Sequence, residues 1–297
     1  MLRKKALLGT ITAALALLAA TAALAATING GPGPDNLVGT AQDDTINGFA
    51  GADRIAALGG NDTVDGGSDD DTITGDGVCP AGSTPYYCIP GNPGNDRIAG
   101  GSGNDTINGN NGNDVIGGEA GNDRVRGDAG NDRLAGASGS DQISGGSGRD
   151  TIDAGSGNDE ANGKSGNDRV DAASGNDTVI GESGQDRLNG GAGRDRVNGG
   201  NGNDRLTGGT GNDRVSGGRG NDRMIGSNGN DTLRGGSGND QIQGNNGRDR
   251  VIAGSGNDRI TVRDNRRDTV NCGRGRDRVS ADRRDRVSRN CERVTRR

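Results

Sequence analysis

Aspartate carries most of the chemistry in this sequence, and it recurs every nine residues. Twenty-four carboxylates, in two runs, hold the same place in the nine-residue unit. Asp35, Asp44, Asp53, Asp62 and Asp71 form a first run. The second holds Asp96, Asp105, Asp114, Asp123, Asp132, Asp141, Asp150, Asp159, Asp168, Asp177, Asp186, Asp195, Asp204, Asp213, Asp222, Asp231, Asp240, Asp249 and Asp258. Two residues after each stands Leu, Ile, Val or Met, except at Ala161. Carboxylates spaced in this way can bind cations or act as acids and bases. Acid–base catalysis needs a unique cleft, whereas these groups recur identically. The chain has no His, so it holds neither a zinc-protease motif nor a Ser-His-Asp set. The expectation is a protein that is not an enzyme.

Aligned Asp rows repel one another, so a cation is expected between them. Calcium fits, because it takes six to eight oxygens in flexible geometry and mixes carboxylates with backbone carbonyls. Magnesium demands a tighter octahedron and keeps its waters. Transition metals prefer His or Cys. Gly at the first and fourth positions of the unit lets turn carbonyls bend toward an ion, with Asp at the sixth supplying the charge. All 24 Asp are therefore candidate metal ligands, with several calcium ions as the cofactor.

The unit that must position them reads GGSGNDTIN at 100–108 and GGTGNDRVS at 208–216. Its last three residues have strand character, the seventh and ninth side chains facing one way and the eighth the other. The first six are rich in Gly and Asn, which accept the left-handed backbone of tight turns. A six-residue turn and a three-residue strand, repeated, predict an all-β solenoid around a ladder of eighth-position aliphatics: Ile98, Ile107, Ile116, Val125, Leu134 and onward. With 61 Gly and 27% hydrophobic residues, a conventional core is not available, and the same composition without the period would read as disorder. Gly does not recur every third residue, which excludes collagen. It recurs too often for helices.

At this copy number the repeat resembles the glycine-rich nonapeptide of the RTX, or hemolysin-type, calcium-binding proteins. The resemblance implies a parallel β-roll, or β-helix, with two units per coil. It also implies ions between turns two units apart, held by sixth-position carboxylates and by carbonyls of the first and third positions. In the unit at 100–108 these are Asp105, Gly100 and Ser102, with Asp123 facing Asp105 across an ion. The fourth position is Gln42 and Asp69 in two early units, so the first block is expected to bind less well. Ala at first positions 57, 154, 172 and 253 is expected to be tolerated. Ala161 should weaken one rung.

Residues 1–25 read as a secretory signal: Arg3, Lys4 and Lys5, an apolar stretch, then Ala23-Leu24-Ala25. The alternative is an uncleaved anchor. No membrane span is expected after cleavage, and the localisation read from this is secreted, extracellular or cell-surface. Residues 26–74 form the first block of five units, 75–90 an insert, 91–261 nineteen units, and 262–297 an Arg-rich tail of degenerate repeats. Four Cys in an exported chain suggest two disulfides, which three pairings would satisfy. The local pairing, Cys79–Cys88 and Cys272–Cys291, is the simplest, and it would staple the insert and close a C-terminal cap. Tyr86 and Tyr87 are either contact residues or fold back over the roll.

The chain carries 35 basic against 41 acidic residues, yet 262–297 holds 13 Arg against six acids. That tail is either a solvated cap or a contact for anionic cell-surface polymers. No nucleic acid is expected as a partner. Arg stands at the seventh position in 12 of 24 units, either solubilising the roll or forming a binding face. The leading expectation is a secreted calcium-binding protein with a structural, cell-surface or matrix role that folds on calcium. The alternative is an adhesin using the 75–90 loop or the Arg face. Ice binding would need outward Thr rows, and Thr210 is the single third-position Thr, so that role is not expected.

Overall fold

A computed structural model describes residues 24–76 and 94–297. Residues 1–23 of the signal stretch 1–25, with Cys79, Cys88, Tyr86 and Tyr87, lie outside them. The described chain winds into a parallel β-solenoid of two facing sheets, with fifteen strands in one and fourteen in the other. Strands alternate between the sheets along the chain, so two units complete one coil. Thr106, Val125 and Asn108 illustrate the register: Arg124 pairs with Thr106, Val125 with Ile107 and Arg126 with Asn108. Each partner is 18 residues away, as expected from two nonapeptides per coil. Among the described residues no helix is long and apolar enough to cross a membrane.

The strands are longer than the sequence predicted. A representative one spans Arg124–Ala129, which is the seventh position of one unit through the third of the next. The ladder continues through this half, with Asp128 paired to Gly146 and Ala129 to Ser147. The expected six-residue turn shrinks to three residues. The reason lies at the second position, where a left-handed residue kinks the strand without breaking its pairing. Non-glycine residues accept this conformation at Asn110, Glu119, Asp128 and Lys164, with φ of 74°, 77°, 71° and 74°, a cost of roughly 1–2 kcal/mol each. The fourth position is stricter. Gly121 has φ 144°, and a Cβ there would run into the carbonyl of Gly103 one coil away.

Side chains at the sixth, eighth and first positions point inward. The eighth-position ladder is buried throughout, from Leu37 to Ile260, and Ala161 is among its fully enclosed members. Ala161 sits between Ile143 and Val179 of the neighbouring coils. Outside the core, fifth-position side chains zip the exposed turns together. The Asn122 amide donates to Asn104 Oδ1 at 2.8 Å, and the Asn131 amide to Asn113 Oδ1 at 2.8 Å.

Three irregular features sit in this frame. Thr27–Asn29 forms a strand that pairs with Thr45–Asn47 and caps the first coil. The ladder also closes directly across the insert, because Thr72 pairs with Thr106 and Thr63 with Arg97. At the other end, strands Thr269–Arg274, Arg278–Ala281, Arg286–Val287 and Arg293–Arg296 carry both sheets to the terminus. The Cys272–Cys291 disulfide ties these last coils, as the local pairing required.

Ala161→Val should stabilise the roll by about 1–2 kcal/mol, since it adds buried methyl groups to an under-filled rung. Thermal unfolding in saturating calcium checks this. A lower melting temperature would show that the neighbours have already closed around the Ala.

Candidate metal centre

The turn that ends each strand aims the sixth-position Asp into the roll. Of the 24 carboxylates singled out by spacing, Asp35 is half-buried and the other 23 are buried. They stack in two rows, one at each edge of the core. Within a row each Asp uses one oxygen to hold the preceding coil. The Asp105 amide donates to Asp123 Oδ1 at 2.8 Å, and the Asp204 amide to Asp222 Oδ1 at 2.9 Å.

The second oxygen has no hydrogen-bond partner. Oδ2 is buried and unpaired in Asp53, Asp62, Asp71 and every Asp of the second run. Native proteins leave few buried polar atoms unsatisfied, and each such atom costs about 1–3 kcal/mol. A whole row of them therefore calls for a positive charge. The environment shows in the acidities. Burial, reinforced by the neighbouring Asp carboxylates and opposed by the amide hydrogen bond, pushes Asp96 up to about 8. The same causes hold Asp62, Asp114, Asp168, Asp240 and Asp249 at about 7.

The first position shapes the space beside that oxygen. Gly208 has an ordinary φ, so its backbone would accept a side chain. A Cβ there, however, would stand 2.7 Å from Asp213 Oδ2 and 2.8 Å from the Gly226 carbonyl of the next coil. At Gly100 the corresponding contacts are Asp105 Oδ2 at 2.5 Å and the Gly118 carbonyl at 2.8 Å. Gly here keeps open a pocket where a carboxylate oxygen and a carbonyl meet. The carbonyl that borders the space at Gly100 is that of Gly118, one coil on. Third-position carbonyls are engaged elsewhere by one bond: Ala120 O accepts the Gly103 amide and Ser138 O the Gly121 amide, at 2.8 and 2.9 Å. A carbonyl keeps a second lone pair. Among the described residues, no three His, Cys, Asp or Glu side chains gather into one group. A cation held here would lean on backbone oxygens as much as on carboxylates, which suits calcium and disfavours soft metals.

The array is not uniform. Asp35 Oδ2 accepts the Gly31 amide and Asp44 Oδ2 the Thr40 amide, so these two turns close on their own carboxylates. Ala57, Ala154, Ala172 and Ala253 are fully buried at first positions, where a methyl takes the space that Gly leaves open. At the C-terminal end Val262, Cys272 and Ala281 do the same. Sequence reasoning also stopped short of three acids. Asp268 and Asp277 continue the rows with unpaired Oδ2 atoms, and Glu292 Oε2 accepts the Asp277 amide at 2.8 Å. An inserted residue makes these steps 19 rather than 18, which breaks the nine-residue phase while keeping the coil. The valines two residues after Asp268 and Asp277 were the signal for them.

Fold and site together define a glycine-rich calcium-binding β-roll. The family model for the RTX calcium-binding nonapeptide repeat (4 copies) matches residues 29–64, 48–77, 90–125, 126–161, 162–197, 189–224, 198–233 and 225–260. The chain belongs to this family, whose repeats bind calcium. No curated protein matches the chain. Among solved structures it is similar to a hyperactive, Ca2+-dependent, beta-helical antifreeze protein from an Antarctic bacterium. That match has 21% identity and a TM-score of 0.37, covering 89% of this chain and 80% of the other.

Two outcomes are expected. Carboxylates whose pKa rises on folding stabilise the metal-free roll most below their ordinary range near 3.8, and that contribution is lost as pH climbs through about 6 to 8. Calcium must displace those protons, so titration at pH 6 should release acid, and affinity should rise toward pH 8. Uptake without proton release, seen in a pH-stat, would contradict this. Gly208→Ala should also lower the bound calcium count by native mass spectrometry, whereas Ala154→Gly should raise it. Unchanged counts in both variants would show that the first position does not shape the site.

Proposed function

We propose that the protein is a secreted, calcium-folded structural roll of the cell surface or matrix, with the sixth-position Asp rows as its calcium ligands. The observation that supports this most is the continuous row of buried, unpaired Oδ2 atoms on a thin aliphatic core. Without cations that row is a liability, so order in the roll should depend on calcium. The N-terminal 25 residues support export by their basic start, apolar middle and small-residue end. Nothing in the constellation of side chains supports a catalytic role, because the acids repeat and lack a distinct cleft.

Adhesion is a second reading, favoured by the exposed seventh-position arginines. Ice binding is a third, for which the outward turn rows would have to present matched hydroxyls. Thermal hysteresis measured on the calcium-loaded protein decides that question.

Circular dichroism should show a largely disordered chain in chelator and β-structure in millimolar calcium, with site affinities of about 10⁻⁴–10⁻³ M. A β-rich spectrum untouched by chelator would overturn the reading. Asp204→Ala should reduce calcium stoichiometry and fray adjacent coils only, since repeat arrays behave as nearest-neighbour chains. Loss of all calcium-induced structure from that one change would contradict this.

A further inference from the structure

The seventh-position side chains point out of the roll, and the two-unit coil sorts them by sheet. On the fifteen-stranded sheet, Arg169, Arg187, Arg205, Arg223, Gln241, Arg259, Arg278 and Arg293 stand on successive strands in direct register. All eight are exposed. Parallel strands lie ~4.8 Å apart, so this row is straight and roughly 34 Å long. The parallel column beside it begins with Asp171, next to Arg169, and from Asn189 through Thr207, Ile225, Gln243, Thr261 and Ser280 to Thr295 contains no acid. The other sheet has no such row, because Glu160, Thr178, Thr232 and Thr269 interrupt its arginines.

Like charges set directly opposite one another across strands destabilise a sheet. Beyond Asp171 at one end of the row, no acid in the neighbouring column relieves the repulsion. Among the described residues the ion pair within 4 Å is Lys164–Glu182 at 2.7 Å, and it involves none of these arginines. The repeat Asp carboxylates point into the roll, away from the guanidinium groups, so they do not neutralise the row.

We propose that this Arg row is a binding surface for an extended acidic polysaccharide that carries about one carboxylate or sulfate per sugar ring. The proposal rests on the calcium-folded roll argued above. A pyranose ring is close in length to one strand spacing, ~4.8 Å, so successive rings can meet successive arginines. Guanidinium groups engage such oxyanions through two parallel hydrogen bonds. The mostly polar, uncharged column from Asn189 to Thr295 alongside leaves the polymer a bed with room for ring hydroxyls. A duplex winds its phosphates away from a straight line, and a lipid surface would not need a single file of charges.

The test uses the full calcium-loaded chain and immobilised chondroitin sulfate as probe. One variant carries Arg187→Gln, Arg205→Gln, Arg223→Gln and Arg259→Gln. A control removes the same charge from the other sheet with Arg196→Gln, Arg214→Gln, Arg234→Gln and Arg250→Gln. Circular dichroism and calcium counts in the same buffer establish that each chain has folded, which separates failure of the calcium reading from failure of this one. The first variant should bind about tenfold more weakly than wild type, with a shallower salt dependence, and the control should stay close to wild type. If the first variant fails to fold, the corresponding Arg→Lys set keeps the charge and should still lose affinity with the loss of the bidentate contact. Equal weakening in both Gln variants, or no wild-type binding, would overturn the proposal. So would equal or tighter binding of single-stranded DNA or anionic vesicles through the same arginines.

Discussion

Everything in this roll is arranged around a carboxylate that is buried with one oxygen satisfied and one not. The satisfied oxygen takes the backbone amide of the preceding coil and thereby fixes the stacking of turns. The other faces a space that exists because the first residue of the unit has no side chain. Such an atom is tolerable when it is protonated or beside a cation. Proton and calcium therefore compete for the same lone pairs, and folding, acidity and metal binding become one equilibrium.

The glycines divide their duties accordingly. At the fourth position the backbone itself needs glycine, for both its dihedral angle and its approach to the next coil. At the first position glycine is required only for space. That distinction explains why alanine appears at the first position in four units, at the expense of the space beside the carboxylate. Each coil touches only its neighbours, so a local defect such as Ala161 or Ala154 stays local.

Much of this was legible in the chain. The phase of Asp and aliphatic residues gave the inward faces and the ladder from Leu37 to Ile260, and the family resemblance implied the coil's 18-residue step. The degenerate repeats of the 262–297 tail foretold the closing coils, and their disulfide followed from the local Cys pairing. Strand length was not legible. Glu119 and Lys164 are ordinary residues in a left-handed conformation, and no propensity scale marks them as places where a strand continues. Asp268 and Asp277 escaped notice as site members because one added residue moved them out of phase. The Asn ladder on the turns had no signal beyond repetition, since Asn at that position also reads as a simple turn former.

The alternation of strands between two sheets gives this repeat a parity. Neighbours within a sheet are an even number of nonapeptides apart, so deleting or duplicating a single unit would send every later strand to the opposite face. The aliphatic ladder and the Asp rows would survive, because all units share them. The exposed columns would not: Arg259 and Arg278 would leave the line begun by Arg169 and Arg187 and fall behind it. The 34-residue step across the insert, from Thr72 to Thr106, respects this parity, because the strands on either side of it pair within one sheet. Genes for such a protein can thus change length by single units without harm to its interior, whereas any pattern written on one surface is inherited only in steps of two.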